Sequence, residues 1–183
     1  VSVRAFRPWA KTLHLVLASS DERHAMTRLD DAGFFEITLP GDTNIAYTFE
    51  AETHEGEKET FTDAYAFPPT FTDFDLHLFG EGHFLDSYDR FGAHLVEQNG
   101  VKGVRFAVWA PNAYRVSVVG DFNRWDARVH PMRLHGLSGV WELFVPGLEE
   151  WTHYKFDLRS REGGYRAEKT DPYGFYSEMR PHT

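Results

Sequence analysis

The chain repeats itself, and that repeat constrains its fold more than any other feature. Residues Met26–Gly41 read MTRLDDAGFFEITLPG, and Met132–Gly147 read MRLHGLSGVWELFVPG. Gly33 aligns with Gly139, Glu36 with Glu142, and Pro40-Gly41 with Pro146-Gly147. Downstream, Tyr47–Glu50 (YTFE) matches Tyr154–Asp157 (YKFD), and Asp63–Phe67 (DAYAF) matches Asp171–Phe175 (DPYGF). Upstream, Phe6-Arg7-Pro8 resembles Trp109-Ala110-Pro111. The offset holds near about 107 residues and drifts only as loop insertions would cause. The sequence therefore reads as two copies of one domain, over residues 1–70 and 100–183, with a connector over 71–99.

Each copy alternates with a period of two. Leu13, Leu15 and Leu17 alternate with His14 and Val16, and Phe35, Ile37 and Leu39 with Glu36 and Thr38. In the second copy, Val104, Phe106 and Val108 alternate with Arg105 and Ala107, and Trp141, Leu143 and Val145 with Glu142 and Phe144. Tyr154, Phe156 and Leu158 alternate with Lys155 and Asp157. Such runs predict strands with one buried face. Gly33, Pro40-Gly41, Ser138-Gly139, Pro146-Gly147 and Gly163-Gly164 punctuate them as turns. Sixteen Phe and eight Tyr suit strands better than helices. The expected fold is all-β: two tandem immunoglobulin-like β-sandwich domains joined by a short helical connector. In the connector, Thr72 is placed to cap a helix over Asp73–Phe79 that stops at Gly80. Ala93–Glu97, Asn99-Gly100 and Val104–Trp109 predict a hairpin entering the second copy. Trp109 and Trp141 are assigned to the core.

Charge narrows the partners. The net charge of −9 argues against nucleic acid and anionic membranes, which need a basic face, and leaves a neutral polymer open. There is no cysteine, so packing alone holds each domain, and a reducing, cytoplasmic setting is expected. No apolar run reaches the roughly 18 residues of a membrane span, and no signal peptide is visible. The chain opens on Val1, which suggests a piece trimmed from a longer protein. The ten histidines show no helical His-x-x-x-His spacing, so no metal or cofactor is expected.

Four further stretches carry a family signature: Leu78–Leu95 (LFGEGHFLDSYDRFGAHL), Gly103–Pro131 (GVRFAVWAPNAYRVSVVGDFNRWDARVHP), Met132–Gly147 and Lys169–Thr183 (KTDPYGFYSEMRPHT). The first resembles the lead-in of bacterial 1,4-α-glucan (glycogen) branching enzymes. The others resemble the carbohydrate-binding module of family 48 as it occurs there. Phe91 and Leu95 depart mildly, standing where the family usually has Leu and Pro. The resemblance implies a non-catalytic amino-terminal region, with α-glucan (glycogen or maltooligosaccharide) and the protein's own catalytic (α/β)8 barrel as partners. A barrel of roughly 250 residues would hold the carboxylate pair of a retaining mechanism, so no catalytic residue is assigned within this chain. A trehalohydrolase or debranching parent, or a purely structural role that sets chain-length preference, stays open. A secreted immunoglobulin-type adhesion module would be expected to carry cysteines.

The candidate glucan contacts are Trp125, Asn123 and Asp121 in the loop after Gly120, Lys155 by resemblance to glycogen-binding modules, and Tyr165 after Gly163-Gly164. An indole held on a surface stacks on a pyranose face while amides and carboxylates bond hydroxyls. Phe122 and Trp125 folding inward to cap the sandwich is the alternative. The first copy has Ser19–His24 in place of Gly120–Trp125 and lacks the aromatic loop. Glu36 and Glu142 share a position and are expected to share a structural job. Neither Asp121, Asp126 nor Glu142 is assigned acid–base work. Tyr173, Phe175 and Tyr176 are expected to form an apolar patch facing the barrel.

Overall fold

The computed structural model describes residues 1–41 and 45–177. The chain divides into two compact units, Val1–Ala66 and a second beginning at Phe67. The first unit contains β1 (Ser2–Phe6), β2 (Ala10–Leu17), β3 (Arg23–Ala25), β4 (Thr27–Asp30), β5 (Phe34–Thr38), β6 (Tyr47–Thr53) and β7 (Lys58–Phe61). These form two antiparallel sheets, ordered β1-β5-β4 and β3-β2-β6-β7. Leu13, Leu15, Phe35 and Phe49 fill the core between them. The second unit contains the helix α1 (Asp73–Gly80), then β8 (Gly92–Gln98), β9 (Val101–Trp109), β10 (Ala113–Gly120), β11 (Arg133–Leu134), β12 (Val140–Pro146), β13 (Tyr154–Ser160) and β14 (Arg166–Lys169). Its sheets run β11-β12-β9-β8 and β10-β13-β14.

The repeat is visible in hydrogen bonds. The order β1-β5-β4 recurs as β9-β12-β11, and β2-β6-β7 as β10-β13-β14. Both copies carry a bulge at the start of the corresponding strand, between Ala10 and Thr12 and between Ala113 and Arg115. The carbonyls of Gly33 and Gly139 accept from Arg7 N and Ala110 N, each at 2.8 Å. Both glycines have positive φ, and a Cβ would lie 2.4 Å from Pro8 Cα in one and 2.7 Å from Pro111 Cα in the other. Only a residue without a side chain allows that approach. Each copy then ends on the same clasp: Tyr47 Oη donates to Asp63 Oδ2 at 2.6 Å, and Tyr154 Oη to Asp171 Oδ2 at 2.5 Å. In both, the other carboxylate oxygen accepts from the backbone two residues on, at Tyr65 N and Tyr173 N.

Four expectations change. Residues 71–99 are not a separate connector. α1 forms with Thr72 in a reciprocal capping box with Asp75, but the stretch belongs to the second unit, and β8 pairs along β9 as that sheet's edge strand. Second, β9 and β12 are buried on both faces. Val104, Phe106, Leu143 and Val145 face the second sheet. Phe67, Phe71 and Phe91 cover the other side, where Ala107, Val140 and Phe144 lie. Third, Trp109 shares this covered face with Arg105 and Ala107 but stands at its end. It is 54% exposed, meeting Phe79 edge-on and donating its indole N–H to Ser138 O.

Fourth, the paired glutamates do different jobs. Glu36 meets Arg4 across the β1–β5 pair on an exposed face. Glu142 is buried and fastens the covering segment to the sheet: its carboxylate accepts from Thr70 N (2.9 Å), Thr70 Oγ1 (2.7 Å), Phe71 N (3.3 Å) and His135 Nε2 (2.8 Å). Burial pushes its carboxyl up, but the bonds from His135, Thr70 and Phe71 outweigh that and hold it below its ordinary value. A depressed carboxyl stabilises the fold above its unfolded value, and this contribution disappears as pH falls through the folded one. Glu142→Gln should therefore lower the stability of the chain by about 3 kcal/mol at pH 7. In urea unfolding at pH 7 to 3, the wild type should lose its advantage over the variant below pH 4.5.

Candidate functional site

The loop after β10 is shaped by one buried amide. β10 ends at Gly120, where a Cβ would lie 2.4 Å from His153 O and 2.5 Å from the Phe122 ring. The chain then makes one 3₁₀ turn over Asp121–Asn123. Asn123, expected to meet sugar, is fully buried instead. Its Oδ1 accepts from Gly120 N at 3.0 Å, and its Nδ2 donates to Val118 O at 2.9 Å and to His130 Nδ1 at 3.0 Å. A group so fully engaged holds the loop and reaches no ligand.

That anchor sends the two aromatics opposite ways. Phe122 turns inward against Phe106 and His130. Arg124 and Trp125 both take left-handed backbone, at φ 56° and 58°, and Trp125 N closes the turn on Gly120 O at 2.9 Å. The indole is 38% exposed, and its N–H donates to Asp121 Oδ1 at 2.8 Å. Asp121 thus fixes the edge of a partly exposed ring. Two successive non-glycine residues in this region cost energy, a form of strain that clusters at binding sites.

Trp125 and Lys155 line one groove of about 710 Å³, together with Trp151, His94, Phe175 and Tyr176 among others. Its floor comes from Ala93, Val104 and Phe106 of β8 and β9. Burial and the Asp171 carboxylate push the Tyr154 hydroxyl far above its ordinary value, so it stays a donor, while burial raises Asp171 itself. Tyr165 does not join this groove. It lies at the opposite end of β13, where its carbonyl accepts from Ser160 N, five residues and about 17 Å along the strand from Lys155.

Trp151 is the residue that the strand pattern did not bring out. It stands at φ 66°, is 77% exposed, and meets Tyr176 edge-on at 5.8 Å. A lone tryptophan in the polar loop Gly147–His153 was the available signal. Phe175 is 82% exposed, with His94 edge-on to it at 5.7 Å. Tyr173 stacks on Phe91 at 5.7 Å. Gly92, at φ 96°, makes room for that contact, since a Cβ there would sit 2.9 Å from Tyr173 Cβ. Among the described residues, no three His, Cys, Asp or Glu gather as metal ligands would.

A strand-built unit with an aromatic groove at one end matches a known class. Residues 90–174 match the family model of carbohydrate-binding module 48 (isoamylase N-terminal domain). Residues 1–65 match that of the alpha-1,4-glucan branching enzyme GlgB N-terminal domain. The chain belongs to the amino-terminal region of the 1,4-alpha-glucan branching enzyme family. It is 49% identical to the branching enzyme of Nitrosospira multiformis, covering 99% of this chain and 24% of that one. It is 48% identical to that of Methylobacillus flagellatus and 45% to that of Rhodospirillum rubrum, covering 99% of this chain and 25% of each relative. The chain thus spans about a quarter of the length of these curated relatives. Among solved structures, a pullulanase from Anoxybacillus sp. LM18-11 aligns over 94% of this chain and 24% of its own, at 18% identity and a TM-score of 0.38, too weak a likeness to carry further meaning.

Asn123 and Trp125 should separate cleanly on substitution. Asn123→Ala leaves buried groups unpaired and should cost about 2–3 kcal/mol in urea unfolding, whereas Trp125→Ala should cost less than about 1 kcal/mol.

Proposed function

We propose that this chain is the glucan-holding, non-catalytic part of a branching enzyme, and that Trp125 and Lys155 are its contacts with α-glucan. The supporting observation is the exposed Trp125 indole, its edge tied to Asp121, sharing a groove with Lys155 in a unit that matches carbohydrate-binding module 48. An indole face accepts the C–H face of a pyranose, and an ammonium donates to its hydroxyls. Trp151 supplies a further exposed ring in the same groove. Bond cleavage and transfer of α-1,4 segments to 6-hydroxyls fall to a barrel outside these residues, in the cytoplasm. Holding the polymer at a second point raises its local concentration near that barrel without new chemistry.

A second reading has its own support. Phe175 and Tyr176 are largely exposed and line this same groove. Together with Tyr173 they suit an apolar contact with the barrel, as exposed apolar clusters mark interaction surfaces. On that reading the region acts as scaffold and sets chain-length preference by shape.

Affinity electrophoresis in glycogen-containing gels tests the first reading. Wild-type chain should be retarded, and Trp125→Ala should raise the Kd roughly two- to tenfold, as loss of one aromatic contact does. Unretarded wild type, or a Trp125→Ala variant that migrates like it, favours the scaffold.

A further inference from the structure

One face of the β10-β13-β14 sheet carries an unusual charge arrangement. Arg115 stands directly opposite Arg159, and Arg159 directly opposite Arg166, on three adjacent strands. Like charges in register repel. Asp157, fully buried two residues before Arg159, accepts from Arg166 Nε at 2.7 Å. Its other oxygen faces Arg159 Nε at 3.9 Å, beyond hydrogen-bond reach. Arg115 turns away to Ala127 O at 2.6 Å. Asp126 is chelated by Arg128, and Glu168 acts on Arg166 only at longer range. The Nε atoms of Arg115 and Arg159, Asp157 Oδ1 and Ser117 Oγ are buried without hydrogen-bond partners. Of these residues Arg159 alone also reaches the neighbouring cavity, where it meets Arg166 at the lining.

Beside this row lies a cavity of about 200 Å³ lined by Tyr114, Arg159, Gly164, Tyr165 and Arg166. Both tyrosines are 55% exposed. The cavity is smaller than the roughly 300–1,000 Å³ of most ligand pockets, so it suits a single sugar ring rather than a chain. We propose that this cavity binds a phosphorylated glucose unit, its phosphate across Arg159 and Arg166 and its ring against Tyr114 and Tyr165. Guanidinium forks match phosphate oxygens two at a time, and phenol rings offer apolar faces with a polar tip. A free sugar phosphate and a phosphomonoester on a glucan chain present the same chemistry. The site stands apart from the Trp125 groove and does not depend on it.

Calorimetric titration of the 183-residue chain tests this, with glucose 6-phosphate and inorganic phosphate as probes. Glucose 6-phosphate should bind more tightly than inorganic phosphate, and more weakly as salt is added. Arg159→Gln and, on the exposed turn, Tyr165→Ala should each weaken it roughly tenfold. Equal affinity for inorganic phosphate, or an unchanged Kd in Tyr165→Ala and in a folded Arg159→Gln, would each overturn the proposal. Phosphorylated glucan, titrated before and after phosphatase treatment, distinguishes the sources. A Tyr165-dependent loss of affinity on treatment assigns the chain-borne ester. Absence of that loss, with glucose 6-phosphate still bound, assigns the free sugar.

Discussion

The second unit depends on the buried carboxylate of Glu142. The two central strands of its sheet are buried on both faces, so each face needs a cover. The second sheet covers one side. The other is covered by an irregular segment with little secondary structure of its own beyond α1, and Glu142 gathers its backbone N–H groups at Thr70 and Phe71. Arg90 adds a bond back to Thr70 O, and Arg105, itself buried, donates to Asp89 O. Polar groups thus hold an otherwise aromatic layer of Phe71, Phe79 and Phe91 in register. Each carboxylate oxygen of Glu142 has a partner, while Arg90 and Arg105 bond through their terminal nitrogens and leave each Nε buried without one.

Much of the fold was legible because turns and clasps leave chemical marks. Gly33 and Gly139 were readable as a pair since both turns bring backbone closer than any side chain permits. The Asp-x-Tyr endings were readable for a similar reason: one carboxylate serves both a tyrosine hydroxyl and a backbone N–H. What a period-two pattern hides is the covering of the second face. Arg105 and Glu142 look like solvent-facing members of their strands, and only the distant residues 67–91 make them interior. The same blindness misplaced Trp109, whose side of the strand was right for burial but whose position ran past the cover.

The candidate site was legible by composition and not by direction. Asp121, Asn123 and Trp125 were identified together, yet the loop divides them into one anchor, one tether and one exposed ring. Which way a side chain turns depends on left-handed backbone at Arg124 and Trp125, and neither residue type announces it. Lys155 and Tyr165 lie at opposite ends of one hairpin, a separation that follows from its length once the register is known. Trp151 carries no strand signature at all, and its exposure comes from the loop that lifts it.

Gly92 has a mechanical consequence. Because the Asp171–Tyr173 stretch nests against it, with Tyr173 lying on Phe91, the path leaving β14 is seated at the start of β8. The contact ties that path to an edge strand joined to its neighbour by seven consecutive pairs, Gly92↔Ala107 to Gln98↔Val101. A side chain at position 92 would push against Tyr173 and disturb the start of β8 and the stretch after β14 together.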